Sequence, residues 1–116
     1  MITGEKRAFK RTRCAFTIRY KLHGASGPDE GVAVSENISI GGVYFVSLKK
    51  LEIGQLLDCR IKMPGIPREG RWTARVVRCF KADDKMVNTF GVAVEFVKSF
   101  DSSEKNLKKT LNVSEQ

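Results

Sequence analysis

The strongest constraint on this chain is a period of two. Phe16, Ile18, Tyr20 and Leu22 alternate with Thr17, Arg19 and Lys21. Successive side chains leave an extended backbone on opposite faces, so the segment is apolar on one side and polar on the other. The pattern returns at Leu57, Cys59, Ile61 and Met63, set against Asp58, Arg60 and Lys62. It returns again at Phe90, Val92, Val94 and Phe96, set against Gly91, Ala93 and Glu95. Val32 and Val34 mark a strand in Gly31–Ser35, and Val43–Ser47 reads as another. Arg71 to Phe80 supplies the sixth, with Val76 and Val77 adjacent. That break in alternation leaves its inward register open and suits a β-bulge. His23 to Asp29 and Pro64 to Pro67 carry the glycines and prolines that stop strands. Short half-buried strands at this spacing predict an all-β fold, a six-stranded antiparallel β-barrel whose closure removes free edges.

Two segments depart from the period. Leu48 to Gln55 suits a short turn of helix ending at Gly54. Asp101-Ser102-Ser103-Glu104 has the composition of a capping box. Leu107 and Leu111 follow one turn apart, so a C-terminal helix can pack them on the barrel while Lys105, Lys108 and Lys109 face water. The 116 residues suit one domain, and 41% hydrophobic content is enough for a core. The expected organisation is a basic N-terminal arm over 1–13, the barrel over 14–100, and the helix and tail over 101–116.

Catalytic chemistry is sparse. There is no phosphate-loop pattern and no Gly-x-Ser-x-Gly. Cys14, Cys59 and Cys79 are far apart, and with His23 as the single histidine they offer no zinc spacing. His23 has no acid partner nearby in sequence, and the cysteines and Trp72 read as packing residues. The expectation is a protein that is not an enzyme and has no cofactor or metal. The odd cysteine count, and the lack of a signal-like apolar run after Met1, predict a cytoplasmic location. No apolar run is long enough to insert across a membrane.

Binding chemistry is richer. A net charge of +8 and a pI near 9.7 call for an acidic partner. Lys6, Arg7, Lys10, Arg11 and Arg13 crowd the arm, where Phe9 is the main large apolar residue. Such a segment has little to bury and is expected to be mobile without ligand. Each arginine can grip a phosphate, or the O6 and N7 edge of guanine, with two parallel donors. The second feature is Asn37-Ile38-Ser39-Ile40-Gly41-Gly42, between two strands. Asn37 and Ser39 are two apart and share a face, while Gly41 and Gly42 allow special angles or close approach. Asn37 can accept from a guanine N–H, and Ser39 can donate to phosphate. A hairpin turn with a polar tip uses the same residues.

Taken in order, Arg7-x-x-x-Arg11 and Asn37-x-Ser39-x-x-Gly42 resemble the paired signature of the PilZ domain family, bacterial receptors for cyclic di-GMP. The resemblance extends through Glu5-Lys6-Arg7, Phe9-Lys10-Arg11, Gly54 before the Leu56–Met63 strand, and Gly91-Val92-Ala93-Val94-Glu95-Phe96. It implies a six-stranded barrel with a C-terminal helix, and a noncatalytic receptor whose arm closes over the nucleotide and alters the surface shown to a downstream protein. It implies that Arg7 and Arg11 clasp phosphates and guanines, that Asn37 and Ser39 hold a guanine and nearby phosphate, and that Gly42 keeps the turn tight. Lys10, Gly41 and Arg78 are further candidates, with Arg75 the alternative to Arg78. Asp is commoner in the family at the position of Asn37; a single amide oxygen replaces its two charged ones. Lys6 replaces a frequent arginine at a position that influences stoichiometry, which favours a stacked nucleotide pair and allows a homodimer. Two other functions fit the composition: a ligand-free PilZ-type interaction module, and a small basic barrel binding single-stranded nucleic acid. The last needs aromatics on an exposed strand face, whereas most here fall at alternating apolar positions.

Overall fold

The computed structural model describes residues 15–27, 30–35, 37–82 and 88–111. The period-two segments form strands β1 (Phe16–Leu22), β2 (Gly31–Ser35), β4 (Gly42–Ser47), β5 (Leu56–Lys62), β6 (Gly70–Lys81) and β7 (Phe90–Phe100). Between β2 and β4 lies β3 (Ile38–Ser39), a two-residue strand inside the segment read above as a turn. All ladders are antiparallel, in the order β2-β1-β5-β6-β7-β4-β3. One face of this strongly curved sheet holds the core, where Ile18, Phe45, Leu57, Ile61, Val76 and Val92 are essentially sealed from water. Trp72 is a packing residue, 2% exposed and stacked on Phe96 at 4.8 Å.

Two expectations about closure need correction. The sheet has seven strands among the described residues, not six, and the order is open: no ladder there joins β2 to β4. The physical reason lies at Tyr44. Its carbonyl accepts from the Ser35 hydroxyl at 2.6 Å, and its N–H donates to the Asn37 carbonyl at 3.1 Å. Ser35 Oγ also accepts from the Asn37 N–H at 2.9 Å. Side-chain and loop bonds therefore occupy the β4 edge where a β2–β4 ladder would run.

The bulge is present. Val76 pairs with Val94 and Arg78 with Ala93, leaving Val77 as the extra residue. Leu48 to Gln55 contains no helix; Gln55 N–H donates to the Glu52 carbonyl in a simple turn, with Gly54 at φ +95°. The C-terminal helix α1 (Ser103–Thr110) buries Leu107 fully, and Leu111 packs partly against the core. Its start is not the expected capping box. Ser102 makes no side-chain capping bond, and the buried Ser103 hydroxyl accepts from the Arg71 N–H at 2.7 Å, tying the helix to β6.

Candidate functional site

The β3–β4 hairpin sets one wall of the site. Ile38 and Ile40 pack toward the core, so Asn37 and Ser39 face outward together. The Asn37 main chain is fixed by the bonds to Ser35 and Tyr44. Its side-chain amide has no partner among the described residues. The Ser39 hydroxyl makes only long local contacts, accepting from Gly41 N–H at 3.3 Å and donating to the Gly42 carbonyl at 3.4 Å. Both polar groups are therefore available to a ligand.

The two glycines do different work. Neither has positive φ. A Cβ at Gly42 would collide with the Val94 carbonyl oxygen and press on Glu95 Cα at 3.1 Å, so glycine is needed for the approach of β4 to β7. That close approach, rather than turn conformation, is the role the geometry assigns to Gly42. Gly41 meets nothing within 4 Å; its carbonyl accepts from Phe96 N–H at 2.8 Å. Gly42, Tyr44 and Ala93 join Asn37, Ser39 and Gly41 around an open cleft of about 300 Å³.

The bulge completes the face. Gly70, Trp72, Ala74 and Val76 point inward on β6. Without an extra residue, Arg78 and Phe80 would follow them into the core. Val77 shifts the phase, so Arg78 and Phe80 lie exposed while Cys79 packs against the core. Arg78 aligns through Ala93 with Tyr44 across three strands. It has no acidic partner among the described residues, whereas Arg75 is paired with Glu95 at 2.9 Å. Of the two arginines, Arg78 is the one left without an acidic partner among the described residues. Lys6, Arg7, Lys10 and Arg11 lie outside the described residues.

Two residues escaped the sequence reading. Tyr44 and Phe80 sit on the outward face, not in the core, with ring centroids 6.3 Å apart and planes at 19°. Phe80 was hidden because the phase of β6 after Val76 depends on the bulge, and Tyr44 because its ring partner comes from that strand. His23, which lacked an acid nearby in sequence, contacts Asp58 from across the β1–β5 ladder, Nδ1 to Oδ1 at 2.7 Å. That pair is exposed and belongs to a different part of the sheet. Burial, with a smaller contribution from the Asp58 charge, pushes the Cys59 thiol up to about 12, the opposite of an activated nucleophile.

The family model for the PilZ domain matches residues 5–112, and the chain belongs to that family. PilZ domains are generally noncatalytic receptor modules for cyclic di-GMP. Among solved structures the chain is similar to the Bacillus subtilis inhibitor of motility, MotI/DgrA, with a TM-score of 0.69 at 20% identity. The alignment covers 87% of this chain and 47% of that one, so the chain spans about half that protein's length and shares its fold over that part. No curated protein matches the sequence.

Proposed function

We propose that the chain is a noncatalytic receptor for cyclic di-GMP. The observation that carries this reading is the outward pairing of Asn37 and Ser39, unencumbered beside the Gly42–Ala93 cleft and facing the same side as Arg78. Asn37 reads a guanine edge, Ser39 donates to a phosphate oxygen, and Arg78 supplies a positive fork. Arg7 and Arg11 close over the nucleotide from the arm and change the surface offered to a downstream protein. Lys6 adds a positive charge that favours a stacked nucleotide pair.

A calorimetric titration tests this. Cyclic di-GMP should bind at micromolar or tighter affinity, about 8 kcal/mol or more, with GMP and a short single-stranded oligonucleotide much weaker. Equal affinity for cyclic di-GMP and GMP, or no binding of the dinucleotide, overturns the reading. The exposed Tyr44–Phe80 pair gives the nucleic-acid alternative a specific foothold, since bases stack on such rings. Tight binding of the oligonucleotide in place of the dinucleotide would establish that alternative.

A further inference from the structure

We propose that the Tyr44–Phe80 ring pair is a stacking shelf for a purine base of the bound nucleotide, an inference that rests on the receptor reading above. The rings lie on the side of the sheet opposite the core, so core packing does not account for them. Both lean over Gly91: a Cβ there would meet the Tyr44 hydroxyl and Phe80 Cζ. A glycine beneath two rings lets them lie close to the sheet, with their planes at 19° to one another. Phe80 remains 47% exposed.

Position ties the shelf to the candidate site. Tyr44 lines the cleft with Asn37 and Ser39, and the Tyr44 N–H to Asn37 carbonyl bond holds those two residues side by side. A base whose edge meets the Asn37 amide therefore has an aromatic surface next to it. Arg78 stands two residues from Phe80 on the same face, placing a cation at the border of the shelf. The two parts divide the work. Stacking accepts any purine because every base has a π-face, and hydrogen bonding at Asn37 discriminates guanine.

The test measures cyclic di-GMP dissociation constants by calorimetry for wild type, Phe80→Ala, Phe80→Leu and Phe80→Trp, with folding checked by circular dichroism. Phe80→Ala should weaken binding about tenfold. Phe80→Leu keeps apolar bulk without a π-face and should lose nearly as much. Phe80→Trp should bind at least as tightly as wild type, with indole fluorescence changing on ligand addition. Wild type, whose single tryptophan Trp72 is buried, is the control against which that signal is assigned to the new indole. If wild type binds while Phe80→Leu binds equally well, apolar cover suffices and the stacking shelf is overturned with the receptor reading intact. Unchanged affinity in Phe80→Ala has the same meaning. Should Phe80→Ala misfold, the Leu and Trp variants decide. Failure of wild type to bind cyclic di-GMP overturns both.

Discussion

A glycine is required or dispensable according to what its missing Cβ would touch. Gly42 faces the Val94 carbonyl across the β4–β7 ladder, while Gly41 beside it faces open space. Gly42→Ala should therefore cost about 1–3 kcal/mol, because the strands must part to admit the methyl. Gly41→Ala should stay within about 0.5 kcal/mol. Urea denaturation of the two variants checks this; equal loss in both would show that turn conformation, not interstrand approach, selects glycine here. The sequence revealed that Asn37 and Ser39 share a face, since that follows from strand period alone. It could not tell the two glycines apart, because the deciding atom belongs to Val94, far along the chain.

At the scale of elements, alternation placed the main strands to within a residue or so at most ends. Val76-Val77 marked the position of the bulge, but not which later residues it would turn outward. Local composition misled at α1. Asp101 to Glu104 looks like a capping box, yet Ser103 turns to the Arg71 N–H and Ser102 caps nothing. Tertiary pairing outweighed the local motif because a part-buried backbone donor on β6 takes the buried Ser103 hydroxyl as its acceptor. Ser103→Ala should cost about 1–3 kcal/mol by leaving that donor unsatisfied, and Ser102→Ala about 0.5 kcal/mol or less. Thermal or urea unfolding separates them; a larger loss at Ser102 than at Ser103 would contradict the Ser103 pairing.

For the whole molecule, the period-two pattern was enough for an antiparallel sheet with a terminal helix. It was not enough for its closure, which turns on the Ser35 hydroxyl taking the Tyr44 carbonyl at one edge. The part of the candidate site from Asn37 to Gly42 was legible because its motif is local. Its aromatic part was not, because three strands and a bulge assemble it. The net charge of +8 leaves one question open to direct measurement: whether binding depends on placed groups or on positive potential. Arg11→Lys keeps the charge and loses the bidentate fork, while Asn37→Ala removes the proposed base contact without altering charge. Dissociation constants for cyclic di-GMP should be measured for both variants and wild type at two salt concentrations. A placed site predicts that Arg11→Lys weakens binding by about 1–3 kcal/mol and that Asn37→Ala weakens it at both salt concentrations. Wild-type affinity in both variants, with a steep loss of binding as salt rises, would contradict the specific pocket and leave electrostatic attraction as its replacement.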